Sequence, residues 1–187
     1  MQTIKLWNIV DDEQPQLIAK SNLKSEARLE QWITQDITII SDNLIIIGTQ
    51  VQTDYQKIID ILAMNQNGEL VIIELKRDRT YREVIAQGLD YATWVKNLDY
   101  DAINTILIKN NPDVVELSEY FNDRFDRGIE VEEFNTDHKI LIVGSDIDDS
   151  TKRIIEYLSG EPYGVNINAL FFNYFQDAEC HLNHKLS

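Results

Sequence analysis

The spacing of apolar residues divides the chain into elements before any chemistry is considered. Residues 4–9 read as a strand, and residues 25–35 place Leu29, Trp32 and Ile33 at helical spacing behind a capping Ser25. Residues 43–48 and 57–64 are rich in β-branched side chains, and Asn65-Gln66-Asn67-Gly68 ends the second run on a turn signal. Residues 69–76 form a third strand that pairs antiparallel with 57–64. Thr80 is placed to cap a long helix over 81–95, where Val84, Ile85, Leu89, Ala92 and Val95 form an apolar stripe. Residues 101–109 and 114–126 predict two further helices, and 139–143 a short buried strand. Residues 149–158 predict a helix ended by Gly160, and 167–175 a last strand buried on both sides. The order β-α-β-β-β-α-α-α-β-α-β specifies an α/β protein, a mixed central sheet flanked by helices.

Three positions break the apolar pattern of the central strands. Residues 69–76 read Glu-Leu-Val-Ile-Ile-Glu-Leu-Lys, so Glu74 and Lys76 share one face while Val71, Ile73 and Leu75 take the other. Asp60 stands alone in Ile58-Ile59-Asp60-Ile61-Leu62, and an isolated acid there is unfavourable without a partner. The hairpin brings Asp60 and Glu74 together, where two carboxylates repel unless a cation separates them. A hard divalent ion takes carboxylates, carbonyls and water, which suits Asp60, Glu74 and the Leu75 carbonyl. Such an ion lowers the pKa of bound water and stabilises charge developing on a phosphate. Lys76 is placed to orient that water or to neutralise the phosphate; service as a base requires a depressed pKa. Gln87 and Tyr91, one helical turn apart, share a face and carry polar tips able to hold a substrate backbone or the lysine.

Composition changes this picture in one respect. The chain of 187 residues carries a formal charge of −15, although binders of nucleic acid usually show a basic footprint. The acids gather in other stretches, while Lys76, Arg77, Arg79 and Arg82 cluster where the Glu74 strand ends. That small basic site on an acidic body predicts weak, salt-sensitive binding and points to a partner for targeting. With seven glycines and three prolines there is little material for a hinge, so residues 1–187 are expected to form one domain. A single cysteine, Cys180, excludes a disulfide within the chain and a thiolate zinc site. The pair His181 and His184 reads as a solvated tail rather than as metal ligands. No apolar run suggests a signal peptide or a membrane span, so the expected compartment is the cytoplasm.

Asp60-x13-Glu74-x-Lys76 followed by Gln87-x3-Tyr91 resembles the PD-(D/E)xK nuclease superfamily, in its RecB-like branch with the Q-x3-Y helix. Longer runs are similar to archaeal and bacterial endonucleases that share the C-terminal domain of the mismatch and single-strand nuclease family. These are Leu29-Glu30-Gln31-Trp32-Ile33, Ile58-Ile59-Asp60-Ile61-Leu62, Ile72-Ile73-Glu74-Leu75-Lys76-Arg77 and Ala86-Gln87-Gly88-Leu89-Asp90-Tyr91-Ala92. Residues 140–145, 149–151 and 167–175 resemble restriction-associated relatives, so the likeness covers nearly the whole chain. It departs at Ile59, where the namesake proline would stand. The resemblance implies a restriction-endonuclease-like α-β-β-β-α-β core and a Mg²⁺- or Mn²⁺-dependent hydrolase acting on DNA, single-stranded or branched forms included. Repair, restriction or defence are the settings it suggests, with a homodimer or partner protein as further options. It also implies a helical acid in the metal site, carried onto Glu30 with Glu26 one turn earlier as the fallback.

On these grounds Asp60, Glu74, Lys76 and Gln87 are the catalytic candidates. Asp60, Glu74, Leu75 and Glu30 are the metal candidates, and Arg77, Arg79, Arg82 and Tyr91 the nucleic-acid contacts. Plainer readings stand beside them. An acid next to a lysine on a strand is by itself an exposed ion pair, and Tyr91 can be a core aromatic with a satisfied hydroxyl. Trp32, Trp94, Phe171 and Phe172 read as core packing. The charge also keeps open a catalytically silent module that retains the nuclease fold and binds nucleic acid, or a protein-binding subunit of a defence system.

Overall fold

The computed structural model describes residues 5–9, 14–21, 25–80 and 82–175, the side chains at 78–80 excepted. The expected histidine and cysteine tail at Cys180, His181 and His184 lies outside the described residues. At the start of the chain β1 (Leu6–Asn8) pairs antiparallel with β2 (Gln16–Ile18), and β3 (Lys20–Ser21) follows. Helix α1 (Glu26–Gln35) begins where Ser25 Oγ accepts the Arg28 N–H at 3.2 Å, and it buries Leu29 and Ile33.

Strands β4 (Leu44–Gln52), β5 (Ile58–Asn65) and β6 (Leu70–Thr80) form an antiparallel meander. The β5–β6 turn closes with the Gly68 N–H donated to Asn65 O, and Gly68 takes φ +78°, which its missing side chain permits. Helices α2 (Glu83–Val95), α3 (Tyr100–Asn110) and α4 (Leu117–Phe125) carry the chain across to β7 (His138–Ile147). Helix α5 (Asp149–Ser159) then leads to β8 (Ile167–Phe171). Both later strands add in parallel, giving the sheet order β4-β5-β6-β7-β8.

The expected mixed sheet flanked by helices is therefore present. Leu70, Ile72, Ile140 and Ile142 face α2, α3 and α4 with Val84, Tyr91, Leu107 and Phe121. Val71, Ile73, Leu75 and Val143 face Leu29 and Ile33 of α1. Gly88 sets the approach of α2 to the sheet, because a Cβ there would come 2.8 Å from the Ile140 side chain. Among the described residues no helix is long and apolar enough to cross a membrane.

Three expectations are corrected. Thr80 does not cap a helix: β6 stays paired with β7 as far as Thr80↔Ile147, and α2 begins at Glu83 behind Arg82, with no side-chain cap. The last strand is not one run buried on both sides. It breaks after Phe171, and β9 (Tyr174–Phe175) leaves to pair with β3. The cause is position, since β8 is an edge strand and Phe171 is 41% exposed. Trp94 is buried as expected, whereas Trp32 is half-buried beside Phe172 and Tyr174.

Candidate active site

The β5–β6 ladder runs from Met64↔Leu70 to Ile61↔Ile73 and ends there, one step short of Asp60 and Glu74. Facing changes at the same point. Ile59 packs in the α2-side cluster and Ile61 in the α1-side cluster, although an undistorted strand puts residues two apart on one face. In place of a ladder bond, the Leu75 N–H donates to Asp60 Oδ2 at 2.8 Å. Asp60 thus sits at a break in the sheet, next to Glu74.

Glu74 is 1% exposed. Its Oε1 pairs with the Lys76 ammonium, and its buried Oε2 has no hydrogen-bond partner. Burial, then the charge of Asp60, pushes the Glu74 carboxyl up from 4.5 to about 7, against the pull of Lys76. Burial also raises Asp60, with the charge of Glu26 adding, although the Leu75 N–H and Lys76 oppose it. For Lys76, burial works to lower the pKa, but the bond to Glu74 and the charges of Glu74, Asp60 and Glu26 outweigh it, and the net shift is upward.

Helix α1 delivers two acids to this break. Glu26 Oε1 accepts the Arg77 N–H at 3.0 Å, and its charge acts on Asp60, Glu74 and Lys76. Glu30 Oε2 accepts from Gln50 Nε2 at 3.0 Å, and the same amide reaches Asp60 Oδ1 at 3.5 Å. Burial raises the Glu30 carboxyl, with the Gln50 bond opposing and the charge of Asp60 adding. Among the described residues no three His, Cys, Asp or Glu side chains form a ready-made metal cage. The expected set with Glu30 as third acid is therefore not preassembled as a cage, although the Gln50 amide links Glu30 to Asp60. Gln50 is the residue that the sequence reading missed.

From the other face α2 supplies Gln87 and Tyr91. Gln87 Nε2 donates to Tyr91 Oη at 2.7 Å, and that hydroxyl donates to Ile58 O at 2.5 Å. Tyr91 is 3% exposed, and its hydroxyl holds β5 two residues before Asp60, the arrangement of a core aromatic with a satisfied hydroxyl. Arg77 and Arg82 are exposed beyond Lys76, Arg82 beside Glu83 at 3.7 Å; the Arg79 side chain lies outside the described residues.

A solved repair endonuclease from Pyrococcus abyssi is similar in fold, with a TM-score of 0.50 at 16% identity over 82% of this chain and 50% of that one. Structures of EndoMS also align, in complex with double-stranded DNA (TM-score 0.47, 18% identity, 79% of this chain and 44% of that one) and in apo form (0.43, 14%, 90% and 65%). The chain spans about half the length of the repair endonuclease it matches. No protein-family model and no curated protein sequence matches it.

Proposed function

We propose that the chain is a metal-dependent DNA nuclease whose site is built on Asp60, Glu74 and Lys76. The observation that carries this reading is the buried Glu74 carboxyl beside Asp60, with one oxygen on Lys76 and the other unpartnered. The donor set fits a hard divalent ion such as Mg²⁺ or Mn²⁺: two carboxylates drawn from adjacent strands, both raised in pKa by burial, and oxygen ligands throughout. When bound, such an ion activates water and offsets charge developing on phosphorus. Hydrolysis forms a bond from water oxygen to phosphorus and breaks the bond to one deoxyribose oxygen, leaving a phosphate monoester and a hydroxyl.

The residues of the chain take the remaining tasks. Lys76, raised in pKa, stays a cation at neutral pH, which supports neutralisation of the phosphate over service as a base. Leu75 fixes Asp60 through its N–H, and Tyr91 fixes the β5 backbone beside it. Gln87 orients Tyr91, a supporting task in place of direct catalysis. Arg77 and Arg82, both exposed, would extend the positive charge along the path of the substrate backbone, with Arg79 a further cation of the same stretch of sequence. The likeness in fold to a repair endonuclease supports DNA as the substrate class and repair among the settings.

The test is cleavage of single-stranded, branched and duplex DNA with Mg²⁺ or Mn²⁺. Activity is expected in the wild type and is abolished in Asp60→Ala and in Lys76→Ala; robust cutting by both variants sinks the assignment. The charge of −15 favours one second reading, a silent module of the same fold that binds nucleic acid or a partner protein. Calorimetry separates them: absence of Mg²⁺ and Mn²⁺ binding, with DNA bound regardless of metal, selects the silent module.

A further inference from the structure

Gln50 is unusual in its backbone as well as its contacts. It lies within β4 at φ +49°, in the left-handed region that a glutamine seldom occupies inside a strand. Its side chain is exposed, so burial of its own apolar surface does not hold this conformation in place. Between the pairs Thr49↔Ile61 and Val51↔Ile59 it faces Asp60 across the ladder. There one amide nitrogen spans two acids from different elements, Glu30 of α1 at 3.0 Å and Asp60 of β5 at 3.5 Å. The shorter contact is a full hydrogen bond and the longer lies at the limit of one. The strained residue is therefore also the bridge between the helical acid and the break in the sheet.

We propose that Gln50 is a positioning residue that fastens Glu30 to the edge of the Asp60–Glu74 site, so that the Glu30 carboxylate strengthens the hold on a divalent cation there. The inference rests on the metal-binding reading above. Two carboxylates left to themselves separate, and the side chain of Glu30 is free to turn into water. The Gln50 amide supplies one N–H to each and keeps them together. A lysine would bond both acids more strongly, but its charge would compete with the cation; a neutral amide bridges without that cost.

The experiment is Mn²⁺ calorimetry, with a thermal melt of each sample, on the full chain and on Gln50→Ala, Gln50→Gly, Glu30→Ala and the Gln50→Ala/Glu30→Ala pair. Each single variant is expected to weaken Mn²⁺ binding about tenfold, the usual scale for a residue that orients a ligand. The double variant also loses about tenfold, because both changes remove one arrangement. Gln50→Gly, which adopts φ +49° without strain, weakens Mn²⁺ to the same degree while melting close to the wild type. Losses that multiply to about a hundredfold overturn the proposal, as do Gln50 variants that bind Mn²⁺ like the wild type. A wild type that binds no Mn²⁺ gives a different pattern: it removes the metal-binding reading, and this inference with it.

Discussion

Without metal, the buried Glu74 carboxyl should make the protein less stable as the solution is made more basic. Its pKa stands at about 7 when folded against an ordinary 4.5. The folded chain therefore holds this proton more tightly than the unfolded chain does. The contribution is complete below 4.5 and is lost as the pH rises through 7. At 1.36 kcal/mol for each pH unit between the two values, the loss from pH 5 to pH 8 is about 2.5 kcal/mol. For a chain of this length that corresponds to a melting temperature lower by roughly 5–10 °C. Asp60 and Glu30 are raised as well and act in the same direction. The assay is a series of thermal melts in chelator across that range, for the wild type and for Glu74→Gln, which keeps the shape and removes the titration. Most of the slope should vanish in Glu74→Gln. An equal slope in both proteins would refute the assignment of this pH dependence to the buried carboxyl.

Four other outcomes follow from the geometry. Because a bound cation must displace the proton of Glu74, Mn²⁺ affinity measured by calorimetry should fall about tenfold for each pH unit below 7. Tyr91→Phe removes the bonds to Ile58 O and Gln87, and should lower stability by about 1 kcal/mol in a denaturant melt while DNA cleavage is reduced rather than abolished. Gly88→Val drives a side chain into Ile140, where a Cβ alone would come within 2.8 Å, and should cost about 2 kcal/mol by the same measurement. Duplex binding followed by fluorescence anisotropy should weaken with salt at a log–log slope no steeper than about −3.6, the value for four phosphate contacts by Lys76, Arg77, Arg79 and Arg82; a much steeper slope would mean that further cations engage the DNA.

The sequence made the sheet legible because apolar runs and an Asn-Gly turn mark β5 and β6 without reference to the rest of the chain. Adjacency of Asp60 and Glu74 followed from that hairpin alone. Gln50 was not legible. Its place opposite Asp60 depends on the β4–β5 register, which shifts between Ile46 and Gly48 at an irregularity that no alternation pattern announces. The choice between Glu26 and Glu30 was hidden for a related reason. Both lie on one face of α1, and only the packed helix shows Glu26 on the Arg77 N–H and Glu30 on Gln50. The end of β6 was masked by charged residues: Arg77, Asp78 and Arg79 follow Lys76 without an apolar position, yet the parallel pairing with β7 keeps the strand going as far as Thr80. Of the pair β1–β2, the first strand falls within residues 4–9, read as a strand from the sequence, whereas β2 is three residues long and mostly exposed and carries no periodic signal.

Two buried side-chain atoms among the described residues lack a partner, Glu74 Oε2 and Asn135 Oδ1, and the contrast between them bears on function. Asn135 takes φ +57° and gives its amide nitrogen to Val95 O at 2.8 Å and Leu98 O at 2.9 Å, which clips the end of α2. Its orphaned oxygen is the neutral remainder of a side chain already occupied by a structural task. Glu74 has no such excuse. It is ionisable, it lies beside Asp60, and among the described residues its side chain bonds only to a lysine on its own strand. A cluster that served structure alone would be relieved by Gln or Leu at this position, since a buried ion pair with one oxygen left unpartnered is no more stabilising than a well-packed replacement. Its neighbours each have a donor: Asp60 has the Leu75 N–H, Glu26 the Arg77 N–H and Glu30 the Gln50 amide. The remaining electrostatic demand is thus concentrated on one oxygen, where either a proton or a cation relieves it. With a pKa of about 7 that proton is only half-bound at neutral pH, so a cation at the proposed site would have little proton affinity to overcome there.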